Sequence, residues 1–391
     1  MTQFTENKLS SEEDICDFCP SALPFVNFSD MVLTIDDDDI DSNSTWNLTE
    51  YVPYEQRLET YVVPVVFAFV FVVGLLGNGT LISIFLLHKT MRTVPNTYII
   101  SLAIGDFILI VGTVPFISTI YTFESWPYGE FMCKLSEFLK DISMAVTVFT
   151  LTLLSYDRYI AIVLPMKKHT GSRAKTRTIM IVFSIWFLSV ILACPGAYFS
   201  FLWQVPVSQD RIIYVCYPFP KDMMPWYPRI VVLTKFLLVY GMPLILIGSF
   251  YVMIAWHLIT SSRNNIGQNP SHVKQLKSRT KVAKIVLAFV LIFAVCFFPS
   301  HVFLIWYYFD SNPNEHYNGF WHSWKIMGYV LTFANSCLNP IALYLISSVF
   351  RNHFKRYLFC CCCKPEEIRK ETVTLHSTTL RHTPEGTIKN V

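Results

Sequence analysis

Charge is what this chain has least of. Only 15% of its 391 residues are Asp, Glu, Lys or Arg, against 53% hydrophobic and 16% aromatic, a balance too apolar for a soluble protein of this length. The net charge is +3, and nothing in the composition suggests a nucleic-acid partner. No loop sets a nucleophile beside a base, and none holds ligands at metal-binding spacing, so the chain is not expected to be an enzyme. Met1 to Glu13 is polar and lacks the apolar core of a secretory signal, which leaves the first apolar span to act as its own signal anchor. Internal repeats and broken apolar segments, which a transporter would show, are also missing.

Long apolar segments are present instead. Seven of them, at about 61–87, 97–121, 137–164, 179–202, 230–259, 285–309 and 326–349, are each long enough to cross a bilayer. The expected fold is an all-α membrane protein, a seven-helix transmembrane bundle followed by a short amphipathic helix. The expected organisation is an acidic extracellular tail at 1–60, the bundle at 61–347, an amphipathic helix with acylated cysteines at 348–363, and a cytoplasmic tail at 364–391. Twenty-one of the 31 Lys and Arg sit near Lys89, between Lys167 and Arg177, between Arg263 and Lys284, or after Arg351. The positive-inside rule makes those stretches cytoplasmic and the N-terminus extracellular, as in a multi-pass plasma-membrane protein. The first 60 residues hold fourteen acids and two bases and are expected to be disordered. They also carry glycosylation acceptors at Asn27, Asn43 and Asn47.

The cysteines sort by compartment. Cys133 heads the third span and Cys216 lies in the second outer loop, so a bridge between them is expected and would pin that loop over the bundle. Cys16 and Cys19 form either a small loop of their own or a free pair. Cys194, Cys296 and Cys337 read as small core residues. Cys360, Cys361, Cys362 and Cys363 follow the last span at the inner face, where palmitoylation is expected.

The third span ends in Asp157-Arg158-Tyr159. Lys140 and Arg158 are eighteen residues apart, which puts them on one helix face about 27 Å from each other. In the second span Asp106 is a carboxylate at mid-membrane depth and needs polar partners or an ion. Asn78, Thr147, Asn335, Ser336 and Asn339 fall near the same depth and suit either a hydrogen-bond network or Na⁺ held by oxygen ligands. Pro243 and Pro299 each remove a backbone hydrogen bond inside a span and mark places where spans five and six can hinge. Basic positions from Lys274 to Lys284 recur at helical spacing before span six, and meet either lipid head groups or a cytoplasmic partner. Phe350 to Arg356 has the spacing of a helix lying on the inner leaflet. The tail beyond Lys364 is rich in Ser and Thr, a substrate for phosphorylation.

Asp157-Arg158-Tyr159 with Cys133, Gly77-Asn78, Ser101-Leu102-Ala103 with Asp106, Trp186, Pro243, Pro299 and Asn339-Pro340, in this order, resemble rhodopsin-like (class A) G-protein-coupled receptors over about 61–359. The stretches Cys133 to Leu135, Val148 to Ser155, Pro299 to Val302 and Asn335 to Tyr344 are similar to the bombesin and endothelin branch, whose invertebrate members include the CCHamide neuropeptide receptors. The resemblance implies an extracellular amidated peptide ligand and a heterotrimeric G protein of the Gq class, with calcium release. It also implies arrestin and receptor kinases acting on the C-terminal tail. Another bombesin- or endothelin-like peptide is the alternative ligand. A retinal photoreceptor would carry a lysine where Phe333 stands.

In such a receptor the peptide is expected to enter beneath the bridged loop and meet Lys140, Asp141, Lys235, His301, Tyr307 and Tyr329, with an internal pair between Lys140 and Glu137 or Glu124 as the rival reading. The switch is expected to run through Phe297 and Phe293, Pro299, Tyr251, Asn339 and Pro340 to Asp157, Arg158 and Tyr159. Na⁺ would sit at Asp106, Thr147, Asn335 and Asn339. Three departures from the family pattern stand out. Phe297 replaces its usual Trp; Leu343 stands where most members have Tyr; and Lys140, Tyr307 and Tyr329 replace the Gln and Arg of bombesin-type pockets. No acid lies near Arg279 in the sequence, so a salt lock from span three to span six is not expected.

Overall fold

The computed structural model describes residues 56–123, 125–164, 172–208, 211–220, 224, 226–263 and 270–358. Cys16, Cys19, the acceptors Asn27, Asn43 and Asn47, Glu124, Cys360 to Cys363 and the Ser/Thr tail lie outside the described residues.

Backbone N–H and C=O groups in hydrocarbon must bond within their own segment, so apolar runs of this length become helices. Among the described residues, seven helices are long and apolar enough to span. They are α1 (Glu59–Leu87), α2 (Val94–Gly112), α3 (Gly129–Val163), α4 (Ser172–Phe199), α5, α6 (Pro270–Phe309) and α7 (Gly319–Ile346). Helix α5 consists of Trp226–Phe236 and Met242–Arg263 joined by a π-helical turn, Leu237–Gly241, just before Pro243. "Outer" below means the end bearing Cys133.

Several boundaries depart from the sequence reading. The second span is not continuous: α2 stops at Gly112, Thr113 leaves helical geometry (φ −129°, ψ −48°), and Pro115 starts a separate short helix, Val114–Ser118. Pro115 has no N–H to return to the preceding turn, so the helix restarts there. Helix α3 starts eight residues before the apolar run, at Gly129. Helix α6 starts at Pro270 rather than near 285, because the basic stretch before it continues the same helix. Helix α4 ends at Phe199, and the outer loop after it is a β-hairpin absent from the sequence reading: β1 (Phe201–Ser208) pairs antiparallel with β2 (Arg211–Tyr217).

The hairpin is held at several points. Cys133 and Cys216 are bridged, as expected. In the first outer loop, the Trp126 backbone N–H donates to the Tyr214 carbonyl at 2.8 Å, and the Tyr214 N–H donates to Ser125 Oγ at 2.9 Å. The hairpin's inner side packs Val205, Ile213, Val215 and Tyr217 against Phe303 and Tyr307 of α6. Deeper in the bundle, Trp186 of α4 donates to Ser101 of α2 at 3.0 Å. Cys296 and Cys337 are buried as expected, whereas Cys194 is exposed on α4 and is not a core residue.

The chain divides into two compact units, 1–342 and 343–391. In the second, α8 (Ser348–Leu358) places Phe350 and Phe354 one turn apart, with Arg351, Lys355 and Arg356 on its other faces. Tyr344 meets the Phe354 ring edge-on.

Candidate functional site

Near the outer end, two ion pairs project from adjacent positions of α3. Lys140 Nζ bonds both carboxylate oxygens of Glu137, at 2.5 and 2.6 Å. The spacing of three residues on a helix brings the two side chains together. Lys235 of α5 donates to Asp141 at 2.7 Å. Lys140 and Asp141 are consecutive residues of α3, so the helix itself sets the two pairs side by side. His301 packs against Tyr240 (4.5 Å between rings) and Phe236 (5.7 Å).

The two tyrosines expected at the site sit in different clusters. Tyr307 stacks on Phe303 under the hairpin. Tyr329 meets Phe67 and Phe333 edge-on in a cluster of α1, α2 and α7. Burial pushes the Tyr217 phenol of the hairpin up to about 12, so it stays neutral. Glu137 was not among the residues expected to meet ligand, although an acid three positions before a lysine on a helix was the available signal. Trp324 was missed altogether.

Below this layer Phe297 packs on Phe293 (4.7 Å), and Phe293 faces Tyr240 (6.1 Å). The Tyr240 hydroxyl donates to the Ala294 carbonyl at 2.9 Å, tying the π turn of α5 to α6. Asn339 donates to Asp106 Oδ2 at 2.9 Å, and Asn78 donates to the carbonyls of Gly74 and Ser336. Among the described residues, Asn78 Oδ1, Asp106 Oδ1, Thr147 Oγ1 and Asn335 Oδ1 are buried without a hydrogen bond. Buried polar atoms rarely stay unsatisfied, and a carboxylate with neutral oxygens fits a hard cation such as Na⁺.

At the inner end Arg158 is buried and paired with Asp157. The Tyr159 ring stacks on Phe250 of α5. Tyr251 donates to the Ala283 carbonyl of α6 at 2.8 Å. Arg279 meets no acid among the described residues but donates to the Ala161 carbonyl at 2.7 Å, so α6 is tied to α3 by a charge-assisted bond to backbone in place of a salt lock.

Comparison with known proteins agrees with this layout. Residues 77–344 match the 7 transmembrane receptor (rhodopsin family), a family of receptors and not of enzymes. The chain is 49% identical over 332 residues to the Neuropeptide CCHamide-1 receptor of Drosophila melanogaster, which covers 82% of this chain and 66% of that receptor. It is 38% identical over 323 residues to a bombesin receptor of Bombina orientalis, 81% of each chain.

Proposed function

This chain belongs to the rhodopsin family of seven-transmembrane receptors, and on that premise we propose that it is a cell-surface receptor for an amidated neuropeptide of the CCHamide type, acting through a heterotrimeric G protein. The observation that carries the reading is the Glu137–Lys140 pair below the bridged hairpin. A primary carboxamide has two N–H donors and one carbonyl acceptor; Glu137 accepts from the donors and Lys140 donates to the carbonyl. The pair is neutral as a whole, so it offers a neutral carboxamide both donor and acceptor and gives a charged carboxylate no net attraction. The 49% identity to a receptor named for CCHamide-1 supports this ligand class.

Binding works by differential affinity for two arrangements of the bundle. Peptide contacts beside Tyr240 and His301 reach Phe297 and Phe293, and α6 moves about Pro299. Release of the Arg279 bond to α3 uncovers Arg158 for a G-protein helix, with Gq coupling and calcium release as the output. Asp106, Thr147, Asn335 and Asn339 would hold Na⁺, whose charge offsets the buried carboxylate and favours the resting arrangement. Arrestin and receptor kinases act on the tail, and membrane lipids hold the acylated cysteines.

Cells expressing this chain, challenged with CCHamide-like amidated peptides and their free-acid forms, test the reading. Calcium release with at least about a tenfold preference for the amide is expected. Equal potency of the free acid, or silence to every amidated peptide, refutes it.

A further inference from the structure

Asp141 and Lys235 of this site also line a cavity. A cavity of about 410 Å³ lies between α3, α4 and α5, beneath Pro218 and Phe219. Its walls include Met144, Leu192 and Val239, and among the described residues Asp141 and Lys235 are the charged ones that line it. On its rim Ile191, Ile230 and Leu238 keep 49%, 52% and 43% of their surface exposed. Apolar residues exposed on spanning helices face acyl chains, so the cavity opens sideways into the lipid.

Lys235 lies nine residues beyond Trp226, about 13 Å down the helix. An ammonium at that depth needs polar company. Asp141 takes one of its three N–H groups, yet 41% of the Lys235 side chain stays accessible. On the other side a Cβ at Gly196 would stand 2.8 Å from Asp141 Oδ2, so α4 closes against the carboxylate. The pair is neutral overall and sets a donor beside an acceptor, which suits a head group that both accepts and donates and disfavours one with net charge.

We propose that this cavity is a lipid-side site for a hydroxyl-headed amphiphile, whose hydroxyl accepts from Lys235 Nζ and donates to the Asp141 carboxylate. Its apolar body lies between α4 and α5. The proposal does not depend on the identity of the peptide or of the G protein.

Receptor reconstituted in nanodiscs with a photoreactive cholesterol analogue tests it. Saturable labelling around Ile191 and Leu238 is expected, competed by cholesterol and about tenfold less well by cholestenone, which keeps an acceptor but has no hydroxyl hydrogen. Ile191→Trp and Leu238→Trp each fill the cavity from a different helix, so a variant that fails to reconstitute leaves the other, and each removes the label. Labelling that does not saturate, equal competition by cholestenone, stronger competition by a fatty acid, or a label that persists in a well-folded filled variant overturns the proposal.

Discussion

Trp324 of α7 donates its indole N–H to the carbonyl oxygen of Pro299 at 3.0 Å. That carbonyl belongs to the residue where α6 has already lost a backbone hydrogen bond, so the outer part of α7 grips α6 at its hinge. Two further contacts support the grip. Ser300 and Thr332 share a hydrogen bond at 2.9 Å, and a Cβ at Gly328 would stand 2.8 Å from the Ser300 nitrogen. Trp324→Phe keeps the ring and removes the donor, a net loss of about 1 kcal/mol. Basal nucleotide exchange should change by about fivefold with peptide binding retained; an unchanged basal rate would show that the bond has no part in the switch.

Helix α1 meets α7 with no room to spare, since a Cβ at Gly77 would stand 2.7 Å from Pro340 Cγ. Gly77→Ala should therefore destabilise the bundle by about 1–3 kcal/mol. The measurement is thermal unfolding in detergent, and an unaltered midpoint would count against this close approach.

The Glu137–Lys140 pair separates stability from recognition through a double-mutant cycle. Glu137→Gln removes the carboxylate from beside the partly buried Lys140 ammonium, a cost of about 3–5 kcal/mol where such a pair is fully buried and less here. Glu137→Gln with Lys140→Gln should recover surface expression but not amide-over-acid preference. Retention of that preference in the double variant would remove the pair from the ligand site.

Arg279→Met deletes the bond to the Ala161 carbonyl, about 1.5–3 kcal/mol for a charged donor. Basal signalling should rise as α6 leaves α3. Arg158→Ala should abolish signalling while surface peptide binding persists, and full signalling in that variant contradicts its assigned role.

Asp106→Asn replaces the carboxylate that a cation would need. Peptide affinity of the unaltered receptor should fall as NaCl replaces a choline salt at constant ionic strength, and that sodium dependence should vanish in the variant. Identical sodium dependence in both proteins would exclude a cation at Asp106.

Much of this was readable from the residues because a bilayer leaves few options. Apolar length set the spans, and segregated lysines and arginines set the expected topology. Asp106 announced a polar layer because a carboxylate in hydrocarbon has to be satisfied, and Asn339 does meet it. Less was readable where partners come from distant segments. Tyr307 and Tyr329 carry the right chemistry for a mouth residue, but packing drew them into different aromatic clusters. Arg279 found a carbonyl, which no search for nearby acids would reveal.

By itself the sequence determined seven crossings and the ordered motifs of the rhodopsin family, because each follows from local composition, and it pointed to the bridge of Cys133 with Cys216 across 83 residues because both fall on the outer side of the expected topology. Only the tertiary structure decided the break at Thr113, the β-hairpin, the pairing of Asp141 with Lys235 across 94 residues and the grip of Trp324 on Pro299. Those depend on which backbone and side-chain groups meet when helices pack, and a long-range hydrogen bond leaves no periodic trace in either of the segments that make it.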